Sequence, residues 1–242
     1  LSGGAGRGAV RIQASGFVTI HGEISANGQD YISGCAGGGS GGAILIECQE
    51  FDASAGGLLQ ANGGDGRTNT AGGGGGGRIS VTYDRLTGEP IIRFATLPGI
   101  GVYDSEVSTR GWHLLAQWGT VSVPDGTIIG DSPASGRFDG VNLYFQNISE
   151  WIVDGLNITG NHLVLASPGV ELIVEQDLIV GVDGTFGVGE VFGDSNSVVT
   201  VGNDLKVIDG AIFSVYAGLA SEDLDDFGAH VVVSNELFVG AS

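Results

Sequence analysis

Two different motifs in this chain return with one shared period, and that constrains the fold more than any other feature of the sequence. Gly8-Ala9-Val10-Arg11-Ile12 reappears as Gly42-Ala43-Ile44-Leu45-Ile46, a step of 34 residues, and again as Gly77-Arg78-Ile79-Ser80-Val81, a step of 35. Gly119-Thr120-Val121-Ser122-Val123 is a degenerate fourth copy. A second marker moves in step: Ile24-Ser25-Ala26-Asn27-Gly28 returns 35 residues later as Leu59-Gln60-Ala61-Asn62-Gly63. Repeats of this length mark chains in which each repeat is one supersecondary unit, burying its apolar face only against its neighbours.

Within a repeat the residues read as short strands. Ala9 to Gln13, Phe17 to His21 and Glu23 to Ser25 alternate apolar and polar positions, as half-buried strands do. Asn27-Gly28 and Asn62-Gly63 are expected to supply the positive φ of tight corners. Glycine, 46 residues of 242, interrupts every candidate helix. The later sequence changes style. Val174-Glu175-Gln176-Asp177-Leu178-Ile179-Val180 matches Val201-Gly202-Asn203-Asp204-Leu205-Lys206-Val207 and Val233-Ser234-Asn235-Glu236-Leu237-Phe238-Val239, with a shortened copy at Val153-Asp154-Gly155-Leu156-Asn157-Ile158. Stacking these copies predicts ladders of Val174, Val201 and Val233, of Leu178, Leu205 and Leu237, and of Val180, Val207 and Val239.

The expected fold class is therefore all-β, a right-handed parallel β-helix (β-solenoid) with Gly-rich turns. Its expected parts are Gly-rich coils over 1–83, an irregular junction continuing the solenoid over 84–140, and Val/Leu-rich coils over 141–242. The junction holds Trp112, Trp118 and four of the five prolines, Pro90, Pro98, Pro124 and Pro133. A glycine run leading into a strand (Gly72 to Val81), the Ala-Asn-Gly corners and the Val-x-x-Asp-Leu-x-Val copies resemble the repeats of large secreted and cell-surface proteins, adhesin- or autotransporter-passenger-like. The resemblance covers most of 1–83 and 141–242. It implies parallel β-helices and brings no catalytic residue with it.

Charge narrows the partners. Asp and Glu number 28 against nine Lys plus Arg, a net charge of −19, and such a field repels phosphate backbones, which excludes nucleic acid. A solvated acidic surface is the plain reading; glycans and Ca²⁺ are the candidate ligands behind it. No apolar run approaches the roughly 18 residues of a membrane span. The lack of any methionine, and of a capping segment before Ala9 or after Val239, leads us to expect a processed or segmental chain that meets neighbouring segments or other copies end to end.

Two cysteines, Cys35 and Cys48, flank a glycine turn; an oxidised pair would suit an extracellular chain, and two free buried thiols are the alternative. Asn147-Ile148-Ser149 and Asn157-Ile158-Thr159 are N-glycosylation sequons, making Asn147 and Asn157 candidate acceptors in a secreting eukaryote. Catalysis on polysaccharides would need clustered carboxylates with a base or cation. Glu171 with Glu175, Asp204 with Asp209, and Asp223 with Asp225 and Asp226 are the pairs on offer, and no arginine follows Arg137. His21, His113, His162 and His230 lack metal-ligand spacing. We therefore expect no catalytic residues, no metal and no cofactor. The expected role is an extracellular or cell-surface structural or adhesive solenoid, with a carbohydrate-binding or polysaccharide-degrading β-helix protein as the alternative.

Overall fold

The computed structural model describes residues 2–34, 36–66, 71–101, 117–189, 197–216 and 230–240. It is all-β, its named strands pair in parallel, and its only helical pieces among the described residues are two 3₁₀ turns, Ala53–Ala55 and Gly126–Ile128. Each turn starts on an aspartate whose carboxylate accepts a backbone N–H two residues on: Asp52 from Ser54 and Asp125 from Thr127, both at 2.9 Å. No sheet among the described residues closes on itself. The chain divides into two compact units, Leu1–Ser122 with Asp139–Val141, and Val123–Phe138 with Asn142–Ser242.

The first unit contains β1 (Ala9–Thr19), β2 (Glu23–Ser25), β3 (Ala43–Asp52), β4 (Leu58–Gln60), β5 (Arg78–Thr87), β6 (Arg93–Ala95) and β7 (Gly119–Val123) up to Ser122. Strands β1, β3, β5 and β7 lie side by side, and β2, β4 and β6 form a second row. Their register is the sequence repeat itself: Ile12 faces Ile46, Ile46 faces Val81, Ile79 faces Val121, and Ile24 faces Leu59. Ile44, Ile46, Ile79, Val81 and Val121 are almost completely buried, so the alternation marks the core face. The two strands expected at Ala9 to Gln13 and Phe17 to His21 are one, with a register shift between Ala14 and Phe17. Phe17 points outward, 74 % exposed, and Ile20 inward, as unbroken alternation from Val10 and Ile12 gives.

The glycine segments are not corners. In residues 37–42 the hydrogen bonds recur every three residues. Gly38 and Gly41 donate to the carbonyls of Gly72 and Gly75, whereas Gly39 and Gly42 donate to those of Gln29 and Ala26. A three-residue period with bonds directed outward to neighbours is the habit of polyproline II backbone. Backbones meet so closely there that a Cβ on Gly28, Gly39, Gly64 or Gly74 would come within 3.0 Å of a neighbour's main chain. The expectation of positive φ at Asn27-Gly28 and Asn62-Gly63 is corrected accordingly, since none of these four residues has it. Glycine is required here for want of space, not for an unusual backbone angle.

The second unit adds β8 (Phe138–Phe145), apart from Asp139–Val141, then β9 (Glu150–Val153), β10 (Leu156–Ile158), β11 (His162–Leu165), β12 (Glu171–Val174), β13 (Leu178–Val180) and β14 (Thr185–Val188). The last five are β15 (Val198–Val201), β16 (Leu205–Ile208), β17 (Ile212–Val215), β18 (His230–Val233) and β19 (Leu237–Gly240). Successive strands are dealt to three sheets: β9-β12-β15-β18, β10-β13-β16-β19 and β11-β14-β17. Val153, Val174, Val201 and Val233 fall in register, as do Leu156, Leu178, Leu205 and Leu237. The predicted ladders are therefore present; their members up to β16 form the core with Phe186 and Leu163, while Val233, Leu237 and Val239 are not buried.

A buried amide closes one loop of this unit. Asn161, fully buried, accepts from the N–H groups of Arg137 and Phe138 and donates to the carbonyls of Pro133, Ala134 and Thr159. Arg137 beside it is also buried; its guanidinium donates to Ile128 and Ile129 carbonyls and lies 5.1 Å from the Phe138 ring. Burial lowers its pKa to about 10. Satisfied polar groups of this kind hold a loop without a regular element.

Candidate functional site

The densest polar constellation lies where each strand of the first sheet in the second unit turns into the second. The corner residues are Asp154-Gly155, Glu175-Gln176-Asp177, Gly202-Asn203-Asp204 and Ser234-Asn235-Glu236, one set after each of β9, β12, β15 and β18. Backbone bonds stack them: Gln176 donates to Asp154, Asn203 to Gln176 and Asn235 to Asn203. Side chains repeat the pattern. Asn203 Nδ2 donates to Asp177 Oδ1 at 2.5 Å, and Asn235 Nδ2 to Asp204 Oδ1 at 2.6 Å. Lys206, the only lysine, reaches Asp177 Oδ2 at 3.2 Å and Asp204 Oδ2 at 2.8 Å.

The protonation states follow from this wiring. The Asp204 N–H on Asp177 Oδ1, helped by the Lys206 ammonium, holds the Asp177 carboxyl below its ordinary value. Lys206 and then Asn235 lower Asp204, and the two carboxylates raise Lys206. All three stay charged at neutral pH. Such a ladder orders a corner, with the Asp177 and Asp204 carboxylates paired to the Lys206 ammonium.

The ladder has one vacancy. Leu156, Leu178 and Leu205 donate in turn to the carbonyls of Asp177, Asp204 and Glu236, so Gly155 occupies the place of the corner acid. Beside Gly155 lies an open cavity of about 380 Å³, lined by Asp131, Asp154, Asn157, Gln176 and Asn203 among others. Carboxylates and amides on an open floor can bind hydroxyl groups. Among the described residues, no group of three or more His, Cys, Asp or Glu is arranged to hold a metal ion.

The residues singled out from the sequence are scattered. Asn147 is exposed after β8, while Asn157 is half-buried on the cavity wall and accepts from Thr159 Oγ1 at 2.7 Å. Cys48 on β3 faces Ala14 and Tyr83 in neighbouring strands, with burial and then Asp84 pushing its thiol up. It has no sulfur partner among the described residues; Cys35 lies outside them, so the expected disulfide is not placed. Glu171 opens β12 and accepts from Thr200 Oγ1, whereas Glu175 stands past the end of the strand, so the two do not share a strand face. Asp209 takes up a left-handed turn at φ 54° while Asp204 is held by Lys206. His162 meets Thr185 at 3.2 Å, and His21 and His230 are exposed. His113, Asp223, Asp225 and Asp226 lie outside the described residues.

Sequence reasoning missed a second set of polar caps, in the first unit. Asn27 Oδ1 accepts from Asn62 N–H and Asn62 Oδ1 from Leu97 N–H, while Asp30 and Asp65 do the same for Asp65 and Ile100. Each acceptor sits 35 residues before the N–H it caps. The signal was available: Asn-Gly-x-Asp occurs at 27–30 and again at 62–65, and its spacing of three matches the polyproline II period.

Comparison of the chain with protein-family models, with curated proteins and with solved structures finds no match.

Proposed function

We propose that the chain is an extracellular structural or adhesive protein built as a right-handed parallel β-solenoid, each repeat being one coil. The observation that carries this reading is the in-register stacking of Val153, Val174, Val201 and Val233 beside Leu156, Leu178, Leu205 and Leu237. Side chains and caps in both units serve the neighbouring repeat. Parallel strands joined by crossovers are right-handed in about 98 % of cases, which supports the hand. The acidic surface of net charge −19 and the dearth of lysine favour an extracellular polymer surface over nucleic acid. On this reading Cys35 and Cys48 form a disulfide and Asn147 is the more accessible glycan acceptor. X-ray scattering from oriented material tests the architecture: a strong meridional spacing near 4.8 Å is expected, and its absence rejects the solenoid. Binding of fluorescent beads coated with the protein to polysaccharide-bearing surfaces tests adhesion against a purely structural role.

The cavity at Gly155 favours one alternative, a carbohydrate-binding role. Its volume of about 380 Å³ admits a single sugar ring, and Asp131, Asp154, Asn157 and Gln176 offer it planar hydrogen-bonding groups. Titration with a panel of neutral monosaccharides, followed by NMR shifts of those amide groups, checks it. Shifts abolished by Asp154→Ala would favour this reading.

A further inference from the structure

The corner ladder of the second unit changes at its first rung. In the later copies each corner carboxylate collects the same two donors from the copy that follows it. Asp204 receives the Asn235 amide at 2.6 Å and the Glu236 N–H. Asp177 receives the Asn203 amide at 2.5 Å and the Asp204 N–H at 3.2 Å. One rung earlier the register puts Gln176 in the amide place, Asp177 in the N–H place and Gly155 where the carboxylate would stand. Neither the Gln176 side-chain amide nor the Asp177 N–H has an acceptor among the described residues. Glycine is not forced on this position. A Cβ at Gly155 would lie 3.6 Å from the Asp177 carbonyl oxygen, an ordinary contact, and its φ is not positive. The cavity of about 380 Å³ lies at this rung, lined by Asp131, Asp154 and Asn157 together with Gln176 and Asp177. Asp131 and Asp154 are exposed and have no ion-pair partner among the described residues.

We propose that this cavity binds an amino sugar as its ammonium cation, one ring hydroxyl oxygen taking the place that Asp177 and Asp204 carboxylates hold in the next two copies. The proposal rests on the carbohydrate-binding reading of the cavity given above, and it names the class of sugar. The hydroxyl oxygen accepts from the Asp177 N–H and the Gln176 amide, the two donors that a corner carboxylate satisfies elsewhere. The ammonium donates to Asp154 and Asp131, the carboxylates that line the cavity without a cation of their own. A sugar acid would offer the same acceptor oxygen, but Asp131, Asp154 and the net charge of −19 repel it. A neutral sugar fills the acceptor place and leaves both carboxylates to hydroxyl donors alone. An amino sugar answers both sides of the cavity. Gly155 is then the specificity-determining residue, because a carboxylate there would occupy the place of the ligand's own oxygen.

The experiment titrates the full isotope-labelled chain with glucosamine, glucose and galacturonate at about pH 6, where an amine is protonated, and at constant ionic strength. The Asp177 backbone amide and the Gln176 side-chain amide are the NMR probes. Glucosamine is expected to shift both and to bind about fivefold more tightly than glucose, the scale of one exposed ion pair, with galacturonate weakest. Changing Asp131 and Asp154 together to Asn should bring glucosamine down to the level of glucose. Gly155→Asp supplies the acceptor from the chain itself and should weaken every sugar by about tenfold or more while slowing exchange of the Asp177 amide. Gly155→Ala adds a Cβ without an acceptor; it is the fold control and should keep binding within about twofold. Equal binding of glucosamine and glucose overturns the proposal and leaves the carbohydrate reading standing, whereas no shift with any of the three sugars removes both. Undiminished binding in Gly155→Asp, or an equal loss in Gly155→Ala, also overturns it, because the ligand oxygen would then not stand in the place of the carboxylate.

Discussion

The two units solve one problem, stacking a repeat on its neighbour, with opposite materials. In the first, the spacing between paired strands stays at 33 to 35 residues from β1 to β6, widening to 42 only between β5 and β7, and much of the contact is main chain on main chain. In the second, the spacing runs from 21 to 32 residues, and Val and Leu rows carry the contact. The difference follows from what each contact tolerates. A glycine segment whose every third N–H must find a particular carbonyl admits no insertion without losing its phase. Strands of three or four residues joined by loops admit insertions at any loop, because only the rows need to match. Sequence variation is thus stored in side chains across β1 to β6 of the first unit, where loop length changes only on the way to β7, and in loop length throughout the second.

The sharpest way to break the comparison is to add one carbon to the first unit. Gly64→Ala would place a Cβ within 3.0 Å of the Gln29 main chain, which has no flexible end to move aside. We expect a loss of more than about 3 kcal/mol in denaturant unfolding, the range of severe core defects. Gly210→Ala in the second unit, at φ 76° with open space around it, should cost only about 1 kcal/mol, from backbone strain alone. Equal losses at the two sites would remove the distinction.

A truncation in the second unit should come next. Leu178 is fully buried between Leu156 and Leu205, so Leu178→Ala leaves a cavity within the row. The expected cost is about 3 kcal/mol, measured by equilibrium unfolding, and Leu178→Met should recover most of it because its volume is similar.

How far the sequence could be read divides along the same line. The Val and Leu rows were legible because the Asp-Leu-x-Val marker survives in each copy and register follows from the period-two pattern. The third copy of the Asn-Gly repeat was not, because Leu97-Pro98 stands where Asn62-Gly63 stood. The backbone nevertheless keeps the phase, with Leu58 opposite Arg93 and the Asn62 side chain capping Leu97. The glycines were visible but their reason was not, since close approach of main chains 10 or 35 residues apart leaves no composition signal distinct from that of turns. The Lys206 network was hidden for a related cause. Its members are brought together only by stacking, and a lone lysine in an acidic sequence reads as surface.

The caps sharpen the comparison at a smaller scale. Asn62→Ala removes the acceptor of the Leu97 N–H inside the first unit and should cost about 1–2 kcal/mol, the usual result of orphaning a partly buried donor. Asn62→Asp keeps an acceptor oxygen in place, so a smaller loss in the same unfolding experiment is expected. If both variants lose the same amount, the side chain matters for packing instead of capping.

The smallest expected effect separates the amide caps of the first unit from the charged corner of the second by pH. The amide caps at Asn27 and Asn62 carry no titrating group, whereas the corner of the second unit rests on Asp177, Asp204 and Lys206. The two carboxyls titrate below their ordinary values in the folded chain, so their contribution is present above about pH 4 and is lost as pH falls through the lowered values. Lys206 titrates above its ordinary value; its contribution is complete below about pH 10 and is lost as pH rises through the raised value. The corner should therefore be most stable across the interval between those limits and weaken on both sides of it. Half-exposed ion pairs are screened, so the change should be modest and should shrink as salt is added. Lys206→Met keeps much of the aliphatic stem and deletes the charge. In that variant the alkaline decline assigned to Lys206 should vanish. The acid-side loss should shrink without vanishing, because the Asp204 N–H and Asn203 still bond Asp177 and Asn235 still bonds Asp204. Amide exchange at Asp204 and Asn235, followed from pH 3 to pH 7 in both proteins, reads the acid limb residue by residue. An unchanged acid limb in Lys206→Met would assign it to carboxylates elsewhere on the acidic surface.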